Sequence, residues 1–202
     1  MTRLYCPLPL SPGAELELPE RATRHAATVL RMRPGDEVIL FDGRGGEYPA
    51  ELLEVSRRRV RVRVGGQRAV ERESSLRITL LQGISRGERM DYTIQKAVEL
   101  GVGRIVPLTT RRCNVRLDDD RARRRLEHWR GVVISACEQC GRNRLPELTP
   151  VTPLPALAEL ELPARRMVLQ AGGGRGLRPE PECPVEVAVL TGPEGGFAPE
   201  EL

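Results

Sequence analysis

A short glycine-rich segment late in the chain has the residue types that best fit ligand binding. It reads Thr191-Gly-Pro-Glu-Gly-Gly-Phe197 and directly follows an apolar stretch, residues 186–190, which predicts a strand. Ligands of open α/β sheets bind at the carboxyl ends of strands, and glycines let the backbone approach a ligand closely. Glu194 adds an acceptor for a hydroxyl group or a cation. An ordinary strand-to-helix turn is the alternative, but such a turn rarely combines three glycines with a proline and a glutamate, so we predict a ligand-binding loop.

A second polar group lies at the end of a long predicted helix, residues 118–140. Its members could hold the edge of a nucleic-acid base, or they could cap the helix and pair in solvent; they are Glu138, Gln139, Arg142 and Asn143.

A rival glycine cluster, residues 172–176, also follows a predicted strand. The next residues, Leu-Arg-Pro-Glu-Pro, cannot open the helix that a Rossmann dinucleotide site requires. No Walker A sequence is present, so a classical nucleotide site is disfavoured.

Positive charge in this chain is carried almost entirely by arginine. There are 32 basic and 28 acidic residues in 202, with a net charge of +4, and Lys96 is the only lysine. The arginines cluster in residues 57–63, 111–116 and 121–130, which favours an RNA partner because guanidinium groups fit phosphates and stack on bases. Genome composition is the competing explanation. Residues 58–64 alternate arginine with valine, which predicts a strand whose basic face is either a charge-protected edge or a phosphate contact.

Cysteine usage and hydropathy argue against a disulfide-bonded protein, a metal-binding protein and a membrane protein. The five cysteines are odd in number and widely spaced, which indicates reduced thiols in a cytosolic protein. Cys137 and Cys140 form a CxxC pair, but no second pair of cysteines or histidines stands at zinc spacing, so we predict no metal site. The N-terminus has no signal-peptide pattern and no apolar run approaches about 20 residues, so no membrane association is predicted.

The hydrophobic pattern changes along the chain and divides it into two parts, whose strands and helices must position these residues. Residues 16–64 show short strands and turns, and a polar, aperiodic stretch at 68–75 marks a boundary. The first part has predicted strands at 37–41, 50–55 and 58–64, with a short helix between 19 and 33. The second part alternates strands at 76–81, 104–108, 166–170 and 186–190 with helices at 88–100 and 118–140. We therefore predict an α/β chain, with a β-rich domain at 1–70 and a parallel-sheet domain at 75–202.

Several segments together resemble the bacterial 16S ribosomal RNA (uracil-N3)-methyltransferase family. In the second half they are Arg86-Gly-Glu-Arg-Met-Asp91, Gln95-Lys-Ala-Val-Glu-Leu-Gly101, Ala136-Cys-Glu-Gln-Cys-Gly-Arg142 and Leu190-Thr-Gly-Pro-Glu-Gly-Gly-Phe197. In the first half the similar positions are His25, Val29-Leu-Arg31, Gly35-Asp36 and Asp42-Gly43. The similarity keeps its order and spacing over nearly the whole chain, so the combination is specific although no single segment is.

The resemblance implies a PUA-like β-barrel domain for RNA, followed by a SPOUT (trefoil-knot) methyltransferase domain. It implies S-adenosylmethionine as cofactor and methylation of N3 of a uridine in 16S ribosomal RNA, free or in the 30S subunit. It also implies a homodimer and a cytoplasmic location. In that family a further helix and loop follow the position of Leu202, so the resemblance implies a second domain truncated at its C-terminus. A non-catalytic RNA-binding or ribosome-assembly factor of the same fold is the alternative function.

The resemblance also assigns site residues. The cofactor pocket is formed in part by the glycine loop, here Thr191, Gly192, Pro193, Glu194, Gly195 and Gly196. As catalytic candidates, we predict that Glu138 or a water molecule removes the N3 proton, and that Arg142 holds RNA phosphate or stabilises charge on the uracil. The RNA-binding candidates are Arg31, Arg86, Arg111, Arg112 and Gln139.

Overall fold

The computed structural model describes residues 1–113, 118–170 and 185–201. The chain divides into two compact units. One comprises Met1–Glu73 and Cys137–Leu145, and the other comprises Ser74–Ala136 and Pro146–Leu202. The glycine cluster at 172–176 lies outside the described residues.

The first unit is built on a five-stranded sheet with the strand order β1-β3-β4-β5-β2. Its neighbours are antiparallel except for β1 and β3, which run parallel. The strands are β1 Arg3–Tyr5, β2 Glu15–Glu17, β3 Glu37–Phe41, β4 Tyr48–Val55 and β5 Val60–Val64. A short helix, α1 Glu20–Arg24, continues into a π-helix at His25–Val29. This arrangement confirms the predicted β-rich N-terminal part.

The strand of alternating arginines and valines is confirmed, but it starts two residues later than predicted. Val60, Val62 and Val64 are buried, as the alternation requires. The strand starts at Val60 rather than residue 58, because Ser56 and Arg59 form a turn in which each backbone N–H donates to the other's carbonyl oxygen.

The basic face of β5 does not lie on a sheet edge, because β5 lies between β4 and β2. Glu15 on β2 accepts from Arg61 at 2.8 Å and from Arg63 at 3.1 Å. Arg59 lies 3.2 Å from Glu17. The expectation of a charge-protected edge is therefore wrong, since these arginines pair with glutamates of a neighbouring strand.

The second unit contains a parallel sheet with the order β10-β11-β6-β7-β8, and β9 also pairs with β7. The strands are β6 Arg77–Gly83, β7 Arg104–Thr109, β8 Glu147–Leu148, β9 Thr152–Pro153, β10 Arg166–Leu169 and β11 Glu186–Thr191. The predicted parallel α/β class is confirmed. 3₁₀ helices occupy Leu154–Glu159 and Pro199–Glu201.

Two long helices lie where they were predicted. In α2 Glu88–Glu99 one apolar stripe is buried, comprising Met90, Ile94, Ala97 and Val98. In α3 Asp119–Cys140, Trp129 and Val133 are buried and Leu126 is half-buried. Gly101 and Gly141 follow the two helices with φ of 90° and 88°, the left-handed conformation that ends a helix. None of the helices described is long and apolar enough to cross a bilayer.

Candidate active site

Three loops meet at the carboxyl ends of neighbouring parallel strands in the second unit. β11, β6 and β7 are adjacent in the sheet, so the segments that follow them emerge at the same edge. We call them the β6 loop (residues 84–87), the β7 loop (residues 110–113) and the glycine loop (residues 191–197). This edge is where open parallel sheets bind their ligands.

The glycines at this edge are required by close backbone contacts. A Cβ atom on Gly83, the last residue of β6, would lie 2.5 Å from the backbone N of Pro193 and 2.8 Å from the carbonyl carbon of Gly192. A Cβ on Gly192 would lie 3.2 Å from the carbonyl carbon of Gly196. Within the glycine loop, the Gly196 N–H donates to the Pro193 carbonyl at 2.8 Å, and Gly196 has a φ of 65°. The loop therefore presents main chain rather than side chains.

Glu194 connects the glycine loop to the β6 loop. Its Oε1 accepts a hydrogen bond from the backbone N–H of Arg86 at 2.9 Å and lies 3.4 Å from Nη1 of Arg89. The pKa of Glu194 is lowered by hydrogen bonds from the backbone N–H groups of Arg86 and of Glu194 itself, with a smaller contribution from Arg89. Glu194 is therefore a carboxylate at neutral pH, on the strand end where a ligand would bind.

The β7 loop contributes arginines and one buried hydroxyl group. Arg112 Nη1 donates to the Gly195 carbonyl oxygen at 3.2 Å. Arg111 pairs with Glu200, and its backbone N–H donates to Glu201 at 2.8 Å. Thr110 Oγ1 is buried and has no hydrogen-bond partner within the described part of the chain. A buried hydroxyl without a partner is costly, so this atom fits a position where a ligand group would bond.

The structure brings three RNA-binding candidates to this edge, because Arg86, Arg111 and Arg112 are exposed residues of the β6 and β7 loops. The other two belong to the first unit. Gln139 is exposed on the last turn of α3. Arg31 is exposed just after the π-helix and has a φ of 54°. A positive φ in a residue with a side chain is uncommon and often marks a functional segment.

The two catalytic candidates, Glu138 and Arg142, also belong to the first unit, and both are largely buried. Glu138 Oε1 accepts from the backbone N–H of Tyr5 at 2.9 Å, and its Oε2 lies 3.9 Å from His25 Nδ1. Arg142 donates from Nε to Glu73 Oε1 at 3.0 Å and from Nη2 to the other carboxylate oxygen. Each candidate therefore already has partners within its own unit.

Three residues at the edge of the second sheet were missed by the sequence reasoning. Gly83 closes the apolar run Leu80-Leu-Gln-Gly83, and a glycine at a strand end is a usable signal of close backbone approach. Arg89 stands in the segment that carried the family resemblance. Thr110 gave no signal, because only the fold shows that its hydroxyl is buried.

Two of the described cysteines are buried, and two are partly exposed. Burial raises the pKa of the Cys137 thiol to about 12, so it stays protonated. Cys113 lies in the β7 loop, where its thiol donates to the Ile84 carbonyl oxygen at 3.5 Å. Across residues 1–113, 118–170 and 185–201, no three acidic, cysteine or histidine side chains are grouped to hold a metal ion.

Known protein families match both parts of the chain. Residues 72–202 match the family described as RNA methyltransferase domain, and residues 18–65 match RNA methyltransferase PUA domain. The ribosomal RNA small subunit methyltransferase E of Buchnera aphidicola (from Schizaphis graminum) is 32% identical over 97% of this chain and 80% of its own length. The protein of the same name from Mycobacterium tuberculosis is 32% identical over 88% of this chain and 70% of its own length.

A solved structure extends the similarity to the fold. The crystal structure of the ribosomal RNA small subunit methyltransferase E of Neisseria gonorrhoeae, bound to S-adenosylmethionine, superposes with a TM-score of 0.89 at 39% identity. The match covers all of this chain and 83% of that one. With domain matches in the same order and relatives similar along most of its length, this chain belongs to the ribosomal RNA small subunit methyltransferase E family.

Proposed function

We propose that this chain transfers the methyl group of S-adenosylmethionine to N3 of a uridine in 16S ribosomal RNA, as free RNA or within the 30S subunit. The observation that carries the proposal is the edge formed by the β6 loop, the β7 loop and the glycine loop, in a chain of this family. The protein would work in the cytoplasm as a homodimer, as the family resemblance implies.

The residues at this edge fit S-adenosylmethionine. A Cβ on Gly83, Gly192 or Gly195 would lie 2.5, 3.2 or 3.3 Å from the nearest protein atom, so these glycines let the loops pack closely and leave the backbone to face a ligand. The Thr110 hydroxyl, which has no partner among the described residues, could bond a polar group of the cofactor, and backbone groups of residues 191–196 could hold the rest. When bound, the cofactor supplies a methyl group on a sulfonium sulfur, which is already reactive toward nucleophiles.

The protein's contribution to this reaction would be mainly alignment. N3 of uridine lies on the Watson–Crick edge and carries a proton, so the base must be unpaired or flipped out, and the proton must leave. In this proposal, the exposed arginines Arg86 and Arg112 of the β6 and β7 loops would hold RNA phosphate near the glycine loop. Holding the two reactants in line supplies much of the rate acceleration in such a transfer.

Glu138 remains our candidate for accepting the N3 proton, and Arg142 remains our candidate for stabilising the charge on the uracil. A Glu138→Gln variant is informative because its amide oxygen can still accept from the Tyr5 N–H, so the fold is preserved while the base is removed. We expect methylation by this variant to fall about 100-fold, the usual contribution of a general base. Full activity in Glu138→Gln would remove Glu138 from the mechanism and leave a water molecule as the proton acceptor.

The experiment that tests the function is methylation of 30S subunits that lack the modification, with radiolabelled S-adenosylmethionine. Nuclease digestion and mass spectrometry then identify the methylated nucleoside, and primer extension locates it, because a methyl on N3 blocks base pairing. We expect one 3-methyluridine per particle. Binding to the particle without methyl transfer would favour the non-catalytic assembly factor, and label on another base would overturn the assignment to uridine N3.

Calorimetric titration of S-adenosylmethionine and sedimentation of the free protein test the remaining parts. We expect saturable binding of one cofactor per chain and a species of twice the monomer mass. A protein that binds 30S particles but not the cofactor would contradict the cofactor assignment. A strictly monomeric yet active protein would contradict the dimer.

A further inference from the structure

The carboxylate of Glu194 is directed toward protein groups that follow the neighbouring strand β6. Oε1 accepts from the Arg86 backbone N–H at 2.9 Å, and the same oxygen lies 3.4 Å from the Arg89 guanidinium. Arg86 belongs to the β6 loop, and Arg89 lies in the first turn of α2. The side chain is about three-quarters buried, with 26% exposed. One carboxylate therefore connects the glycine loop to the start of the helix that follows β6.

The N-terminus of α2 lacks a cap from its own sequence. Its N-cap residue is Gly87, which has a φ of 55° and no side chain to accept a hydrogen bond. Backbone N–H groups at helix starts need acceptors, and negative charge there is favourable because of the helix dipole. Glu194, in the glycine loop more than 100 residues later in the chain, adds negative charge near this helix start, and it accepts from the N–H of Arg86, the residue before the N-cap.

We propose that Glu194 is a positioning residue, which holds the β6 loop and the glycine loop at a fixed separation through the Arg86 N–H, rather than a ligand whose charge contacts the cofactor. The inference rests on the proposed function in one respect, that the glycine loop binds S-adenosylmethionine. Gly83 supports the proposal independently, because its close contact with Pro193 shows that the end of β6 lies directly against the glycine loop.

Two substitutions at this position separate positioning from direct charge contact. Glu194→Gln keeps an oxygen that can accept from the Arg86 N–H and removes the charge, whereas Glu194→Ala removes both. Glu186→Ala is the matched control, because Glu186 pairs with Arg77 at 2.8 Å across the same two strands at their opposite ends. Calorimetry would measure the dissociation constants of S-adenosylmethionine and S-adenosylhomocysteine, which lacks the sulfonium charge.

If Glu194 positions the loops, Glu194→Ala weakens both ligands by about tenfold, the effect expected for loss of a hydrogen bond to a charged group. Glu194→Gln then stays within about threefold of the unmodified protein, and Glu186→Ala is unchanged. The proposal is overturned if Glu194→Gln weakens binding as much as Glu194→Ala. It is also overturned if either variant weakens S-adenosylmethionine much more than S-adenosylhomocysteine, since that difference would report a direct contact with the sulfonium.

Amide hydrogen exchange in the cofactor-free protein gives a readout that needs no ligand. The Arg86 N–H should exchange about tenfold faster in Glu194→Ala than in the unmodified protein, and at the unmodified rate in Glu194→Gln and Glu186→Ala. Unchanged exchange in Glu194→Ala would overturn the positioning role. If the unmodified protein failed to bind S-adenosylmethionine, the proposed function would lose its cofactor, but the exchange experiment would still decide whether Glu194 positions the β6 loop.

Discussion

At Gly83 the sheet and the glycine loop pack too closely to accommodate a side chain. In Gly83→Ala the new methyl group would lie 2.5 Å from the Pro193 backbone nitrogen, so the loop must move. We expect a loss of about 1–3 kcal/mol in the free energy of unfolding, typical of overpacking, and cofactor binding weakened by about tenfold or more. Gly66→Ala is the control, because nothing lies within 4 Å of its added Cβ. Urea unfolding and calorimetry would measure both effects, and a Gly83→Ala protein that binds normally would contradict them.

For a substitution at Thr110 we predict the opposite effect on the free energy of unfolding from that of Gly83→Ala. Thr110→Val replaces a buried hydroxyl that has no partner in the described structure with a methyl group of similar size. Because the penalty of that unpaired group is removed, we expect the cofactor-free protein to be as stable as the unmodified one or more stable by about 1 kcal/mol. If the hydroxyl bonds the cofactor, affinity falls by about five- to tenfold at the same time. Thermal unfolding with and without S-adenosylmethionine measures both, and unchanged affinity would remove Thr110 from the pocket.

At the scale of elements, the pairing of β5 with β2 separates arginines that are ion-paired within a sheet from arginines on the loops of the candidate active site. Arg61 and Arg63 share Glu15 as an ion-pair partner, whereas Arg86 and Arg112 lie on loops at the candidate active site. We expect the double variant Arg61→Ser, Arg63→Ser to bind 30S particles within about twofold of the unmodified protein. Arg86→Ala or Arg112→Ala should lower the slope of log affinity against log salt by about 0.7–0.9 for each RNA phosphate that the variant no longer neutralises. An equal drop in slope for the double variant would show that β5 binds RNA.

The segment before β4 contains a buried carboxylate that makes the first unit sensitive to acid. Glu47 accepts from Arg3 at 2.7 Å and from Arg72 at 3.2 Å. Burial alone would raise the pKa of Glu47, but hydrogen bonds from these two arginines outweigh it, so the pKa is lowered in the folded protein. The carboxylate therefore stabilises the fold fully above its ordinary pKa of 4.5, and this contribution is lost as the pH falls through the folded pKa.

Glu47→Gln should accordingly lower the free energy of unfolding by about 2 kcal/mol at pH 7, because charge-assisted hydrogen bonds to two arginines are weakened. The difference from the unmodified protein should shrink as both are measured at pH 5, 4 and 3 by urea unfolding. Glu51→Gln is the control, since Glu51 is exposed and lies 3.7 Å from Arg63. A difference that stays constant down to pH 3 would show that ionisation of Glu47 does not stabilise the fold.

For the whole molecule, cofactor binding should stabilise the second unit through three loops that are far apart in sequence. At a concentration of S-adenosylmethionine about 100 times its dissociation constant, linkage predicts about 2.7 kcal/mol of added stability. Hydrogen exchange should show the new protection in residues 84–87, 110–113 and 191–197. Protection that appeared without any change in these loops would place the cofactor elsewhere.

Local sequence determined much of this protein. Buried stripes in α2 and α3, the glycines that end both helices, and the strand preceding the glycine loop all follow from side-chain periodicity and backbone freedom, which neighbouring residues set. The ordered motifs also sufficed to place the chain in its family. Residue patterns predicted the glycine loop as a ligand site, because glycines let a ligand approach the backbone closely and proline fixes the backbone conformation.

Only the tertiary structure decided which distant residues those elements bring together. Strand order placed the β6, β7 and glycine loops side by side, and no periodicity encodes that order. Pairing with β2 gave Arg61 and Arg63 of β5 a shared ion-pair partner in Glu15, and burial left the Thr110 hydroxyl without a partner in the described part of the chain. Glu194 reads in sequence as a ligand acceptor, but in the fold it accepts from the Arg86 N–H. Such contacts depend on distances between segments that are remote along the chain, and these distances exist only once the chain has folded.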